Sequence, residues 1–197
     1  MSTSVPPAYH HGDLRHALVE AGLELLASGG AESLGLREVA RAVGVSASAP
    51  YRHFENRQAL LAAIAREGFL RFDPVLRAAG EGIAPAQRLQ TIGRAYIGFA
   101  FDNPQLFRLM FSPEVSKDAN PALMEAARLA YQSLTNLAAA EGLPGRETAV
   151  STWALVHGLS VLLLDDQIRL GGIEDREALI GRVLGQFVAG LRALAAH

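Results

Sequence analysis

Apolar residues recur every three to four positions along most of the chain, and strand-like alternation is nearly absent. Leu14, Ala17, Leu18, Ala21 and Leu25 form the first stripe, which predicts a helix over 12–28 that Gly29 and Gly30 stop. A short helix over 36–43 follows, with Leu36, Val39, Ala40 and Val43 on one face. Gly44 stands where that helix must end, because glycine takes a left-handed cap conformation without steric cost. Ser46 suits the N-cap of a third helix, and Asn56 that of a fourth, which opens at Arg57 and runs to about residue 79. Pro74 lies inside the fourth, so a kink or break is expected near Phe72. Later stripes predict helices over 86–101, 104–111, 121–141, 146–170 and 174–195, with a polar loop over 112–120. Nine helices without an internal repeat predict an all-α bundle.

Length and composition narrow the class. A chain of 197 residues, 50% hydrophobic and 19% charged, has ample material for a core. With no cysteine there is no disulfide framework and no thiolate metal site, which fits a reducing cytoplasm. The opening MSTSVPPAYH lacks the basic start and apolar stretch of a signal peptide. The longest apolar run, over 153–164, is twelve residues and too short for a bilayer, so no membrane partner is expected. Seventeen arginines stand against one lysine, a bias that fits a GC-rich genome.

Catalytic signatures are missing. There is no GxSxG, no glycine-rich phosphate loop, no HExxH and no cysteine nucleophile. His157 and the Asp165-Asp166 pair lie roughly 12 Å apart along one helix at about 1.5 Å per residue, too far for one acid-base site. His10-His11 has no further metal ligand nearby. Neither a metal nor a cofactor is expected, and an enzyme is the weaker alternative.

Two short helices joined by a glycine turn are a DNA-reading motif. Tyr51, Arg52, His53 and Arg57 follow within seven residues, a set of donors suited to phosphate. The stretch SLGLREVARAVGVSASAPYRHFENRQAL, residues 33–60, closely resembles the N-terminal domain of the tetracycline-repressor (TetR) family of transcriptional regulators. That resemblance covers residues 10–60. It implies a flexible arm over 1–10, a DNA-binding domain over 11–57 and a ligand-binding and dimerisation domain over 58–197.

The resemblance further implies that the third helix enters the major groove with Ser46, Ala47, Ser48, Ala49, Tyr51 and Arg52 facing DNA. Small residues would lie against thymine methyls, and Arg52 would reach a guanine edge or a phosphate. Tyr51 and His53 would donate to phosphates, and Arg57 would anchor another. Arg37 is the best remaining candidate for a bidentate guanine contact, with a surface salt bridge as the alternative. For His53 the alternative is packing between helices. Net charge is −2, and residues 1–57 carry five arginines against six acids, so affinity must come from local placement of cations. Three departures stand out: Gly35 replaces a usual Ser or Thr cap, Pro50 replaces a Leu or Ile, and Ala47 replaces a longer polar residue.

Trp153, His157 and Gly158, with the NPQLFRLMF segment over 103–111, resemble a subgroup of the family with a Trp-x3-His-Gly signature. A small molecule would lodge in the C-terminal bundle, with Tyr96, Phe99, Phe107, Met110, Tyr131, Trp153 and His157 as candidate lining; the alternative is that they only fill the core. The last two predicted helices, the eighth and ninth, carry apolar stripes too wide for one partner, and Gly181 and Gly185 would admit a close helix, with a merely compositional origin of the two glycines as the alternative. These features predict a homodimer through a four-helix interface. The family implies a repressor on a palindromic double-stranded operator, released by a small, largely apolar effector through a swing of the fourth helix. A regulator without an effector is the second alternative, and a solid C-terminal core would favour it.

Overall fold

The structure, a computed structural model, describes residues 11–140 and 145–195. Eight α-helices carry it: α1 (His11–Gly29), α2 (Leu36–Val43), α3 (Arg57–Gly80), α4 (Pro85–Asp102), α5 (Pro104–Met110), α6 (Pro121–Ala140), α7 (Arg146–Leu164) and α8 (Ile173–Ala195). Two 3₁₀ turns, Ala31–Ser33 and Ala49–Arg52, complete the set, and no strand occurs among the described residues. The fold is all-helical, with one helix fewer than the pattern predicts. The N-terminal arm expected over 1–10 lies outside the described residues.

The missing helix is the third. Its segment folds as turns leading into the 3₁₀ stretch Ala49–Arg52. Pro50 supplies the reason. An α-helical turn from Ser46 needs an N–H at residue 50, and proline has none. Ser46 C=O instead accepts from the Ala49 N–H at 3.0 Å, which sets the tighter pitch. Pro50 itself is buried.

α3 is the spine. The Asn56 side chain caps it by accepting from the Ala59 N–H at 2.9 Å. Its first turns bury Leu60, Leu61 and Ile64 on the side that packs on α1, and its later turns bury Phe69, Phe72 and Leu76 among α4, α5 and α6. Gly68 lets α5 close on it, since a Cβ there would lie 2.7 Å from the Met110 sulfur. The expected break near Phe72 does not occur; α3 continues through Pro74. Pro74 removes the donor for the Leu70 carbonyl, and both residues face solvent, where water can replace it.

α7 stops at Leu164, six residues short of expectation. Arg108 ends it, pairing with the Asp165 carboxylate and donating to the Leu164 carbonyl at 3.2 Å. At 19 residues and mean hydropathy 1.3, α7 is long and apolar enough to cross a bilayer, unlike the twelve-residue run considered alone. Here Val156, Leu159 and Leu163 are buried, and the helix packs on α4 and α6. Gly181 on α8 faces α4 of the same chain: a Cβ there would meet the Arg94 guanidinium at 2.2 Å. The close approach expected of a second subunit is therefore filled within the fold at this position.

Candidate nucleic-acid interface and ligand cavity

Gly44 adopts φ 78°, and its left-handed cap turns the chain sharply after α2. The Val45 N–H then bonds to the Ala40 carbonyl at 3.0 Å, fixing the start of the reading turn. Ser46, Ala47 and Ser48 are exposed, with the two serine hydroxyls 3.2 Å apart, while Ala49 is half-buried. Tyr51 is 53% exposed and Arg52 is exposed beside it. His53 is half-buried. Phe54 turns inward as core, with the Arg15 guanidinium 5.2 Å from its ring centre. Arg37 is exposed in the first turn of α2 and forms no ion pair among the described residues. A small-residue ridge flanked by an exposed phenol and two exposed guanidinium groups can lie in a groove and grip phosphates.

Arg57 has a structural role beside its expected one. Its Nε donates to the Leu34 carbonyl at 2.7 Å and its Nη2 to the Ala31 carbonyl at 2.6 Å. The remaining Nη1 lies 3.6 Å from Glu114. The guanidinium thus ties the connector before α2 to the start of α3 and to the loop after α5. Those two bonds hold the head together, and the side chain, 42% exposed, keeps further N–H groups toward solvent.

The second site is a cavity of about 310 Å³ between α3, α4, α6 and α7. Of the expected lining, Tyr96, Tyr131 and Trp153 border it. Phe99, Phe107, Met110 and His157 do not: they pack behind the wall, and the first three are nearly fully buried. Phe69, Phe72 and Phe111 complete the aromatic lining, and Lys117 and Arg128 are its charged members. The spacing of Phe69, Phe72 and Leu76 marks one face of α3 in the sequence. Which helix that face would meet is a long-range matter the stripe does not contain. Lys117 sits in the polar loop between α5 and α6, where its chemical rarity was the available signal.

His157 supports the wall from behind. The Trp153 Nε1–H donates to the Tyr96 hydroxyl at 3.2 Å, and that hydroxyl lies 3.0 Å from His157 Nδ1. An indole N–H only donates, so the Tyr96 oxygen accepts there and sends its own proton toward Nδ1. That sense of the bond belongs to the neutral imidazole with its proton on Nε2, since the roles at Nδ1 follow the tautomer. Burial holds its pKa below the usual value, and the nearby Lys117 charge adds to that. Burial also pushes the Tyr96 phenol well upward, so it remains a donor. His157 further packs on Phe111 and Phe107, with ring centres 4.5 and 5.3 Å away.

Comparison with known proteins agrees with both halves. Residues 18–64 match the bacterial regulatory proteins of the tetR family, and residues 89–187 match the tetracyclin repressor-like C-terminal domain. A protein with unknown function from Rhodococcus sp. RHA1 is 30% identical at TM-score 0.80, over 94% of this chain and 98% of that one. A tetR-family regulatory protein from Rhodococcus RHA1 shares the fold at 20% identity and TM-score 0.65, over 89% and 95% of the two chains. So does a TetR variant from Acinetobacter baumannii in complex with minocycline, at 21% identity and TM-score 0.65, over 91% and 97%. With a helix-turn-helix at one end, a cavity-bearing bundle at the other and a family match across each, the chain belongs to the TetR family of transcriptional regulators.

Proposed function

We propose that the chain is a cytoplasmic, homodimeric repressor that binds a palindromic DNA operator and is released by a small, largely apolar effector. One observation carries this reading: the aromatic cavity is walled by Phe69 and Phe72 of α3, the same helix whose first turn directly follows the DNA-reading segment and is tied through Arg57 to the connector before α2. A molecule that prefers one setting of α3 shifts the separation of two reading turns, and operator affinity falls with it. A cavity of this size favours a sensor over a regulator without an effector. The minocycline complex is a fold relative that holds a small molecule.

In this reading Tyr51 and Arg52 bind phosphate and a base edge, His53 adds a phosphate contact, and Arg37 reads guanine from α2. Ser46, Ala47, Ser48 and Ala49 lie along the groove. Proteins of this family bind DNA and are generally not enzymes. The dimer would form on α7 and α8. Val150, Ala154, Val161 and Leu162 are exposed along one side of α7, and Gly158 beside them has open space where a Cβ would be. Small and apolar residues in that order suit a close helix crossing.

Fluorescence anisotropy with the DNA flanking the protein's own gene tests the reading, wild type beside Tyr51→Ala/Arg52→Ala. Saturable binding to a palindrome at about nanomolar Kd, weakened at least about a hundredfold in the variant, is the expected result. Weak binding that salt abolishes equally in both proteins, with no palindrome enriched from a randomised library, would overturn it.

A further inference from the structure

The aromatic cavity has the composition of a cation trap, yet its charged groups say the opposite. Aromatic faces attract ammonium ligands, and cages of this kind ordinarily carry an acid to match. Here the charged residues in the lining are Lys117 and Arg128, both positive, and no carboxylate borders the space among the described residues. Arg128 is already paired with Glu125, at 2.6 Å. Lys117 is not. Its ammonium lies 5.4 Å from the centre of Phe69 and 5.3 Å from that of Phe111, and it forms no ion pair among the described residues. Glu114, three residues away, points to Arg57 instead.

Lys117 is also the only lysine in a chain with seventeen arginines. A compact ammonium on a flexible stem differs from a planar guanidinium, because it can turn inward and serve as a point charge. Burial pushes its pKa down from the ordinary value, as expected for a half-buried cation held against rings. Contacts with the ring faces offset part of that cost. An anion would offset the rest.

We infer that the cavity takes hydrophobic monocarboxylates, with the apolar body among Phe69, Phe72, Tyr131 and Trp153 and the carboxylate on the Lys117 ammonium. This rests on the reading of the cavity as an effector site and names the chemistry it selects. Cationic compounds are disfavoured by the Lys117 charge at the wall, and neutral analogues leave Lys117 without a partner.

Trp153 is the sole tryptophan and borders the cavity, so its fluorescence reports occupancy. Decanoate and 4-phenylbutyrate are titrated beside decanol and 4-phenylbutanol into wild type, Lys117→Met and Lys117→Arg. The acids should bind wild type about tenfold or more tighter than their alcohols, the margin of a charge-assisted hydrogen bond. Lys117→Met should erase that preference, and Lys117→Arg should keep most of it. Thermal unfolding checks that each variant folds; if the Met variant does not, Lys117→Gln repeats the comparison with a polar, uncharged tip. Equal binding of acids and alcohols, no fluorescence response to either acid, or a preference that survives loss of the charge would overturn the inference. Acids that bind through Lys117 yet leave operator DNA bound would sink the release mechanism and leave this inference standing. Release by the alcohols alone would do the reverse.

Discussion

The hydrogen-bond chain Trp153–Tyr96–His157 makes one imidazole responsible for a buried phenol. Replacing His157 by Phe keeps a ring against Phe107 and Phe111 but leaves the Tyr96 hydroxyl without an acceptor. An unsatisfied buried donor costs about 1–3 kcal/mol, and urea unfolding should read a loss of that order at pH 7.5. The pH dependence should change as well. His157 is held neutral in the fold, with its pKa lowered first by burial and then by the charge on Lys117. The unfolded chain takes up a proton near pH 6.5, whereas the folded chain waits until the pH is lower. Stability from this group is therefore complete above about pH 6.5 and is lost as pH falls toward the folded pKa. Wild type should lose more stability between pH 7.5 and 5.0 than His157→Phe, and equal losses would contradict the account. Trp153 and His157 were legible as neighbours because they stand one helical turn apart. Tyr96, distant in sequence, was legible only as an aromatic, and nothing in its helical stripe announced the bond that links the three.

Among the helices, the connector between α1 and α2 depends on a residue outside it. Arg57 makes two short bonds to carbonyls of 31–34, and Glu114 reaches the same guanidinium from the loop that carries Lys117. Arg57→Met should destabilise the head by about 1–3 kcal/mol through two orphaned carbonyls, a range set low for a partly exposed group. Glu114→Gln removes only an exposed pair at 3.6 Å and should cost under about 1 kcal/mol. Comparable losses in both would mean that the ion pair, not the carbonyl clamp, holds the connector. Local signals served well where the chain reports on itself: α2 and its Gly44 cap fall where the pattern puts them. Proline misled in two directions. Pro50 converts an expected α-helix into a 3₁₀ turn because the segment is too short to absorb a lost donor. Pro74 leaves α3 intact because the freed carbonyl opens to water.

The assembled bundle leaves a face that its own helices do not cover. Along α7, Leu162 is 44% exposed and Val150 equally so, while Ile180, Leu184 and Val188 of α8 are buried within the fold. The wide stripes read from sequence thus divide: Ile180, Leu184 and Val188 are buried, Leu179 and Val183 are half-buried against the core, and Val150, Val161 and Leu162 face outward. On the homodimer reading, Leu162→Glu places an unpaired charge in the interface. The variant should sediment as a monomer at micromolar concentrations where wild type is a dimer, and operator binding should weaken with it. A dimer that persists unchanged would move the interface elsewhere. Fold class was readable because helical periodicity is local and repeated. The cavity was readable only through Tyr96, Tyr131 and Trp153, since its shape is the volume left when α3, α4, α6 and α7 fail to fill their shared centre.

The solitary lysine has a practical meaning for anyone following this protein in solution. Amine-directed chemistry finds one side-chain target in the chain. Reductive methylation with isotopically labelled formaldehyde would leave the positive charge in place and put a spectroscopic tag on the wall of the cavity. A single side-chain resonance, its shift set by the rings of Phe69 and Phe111, would then register what enters. The arginine-rich composition, which carries no message about function by itself, makes that signal free of overlap.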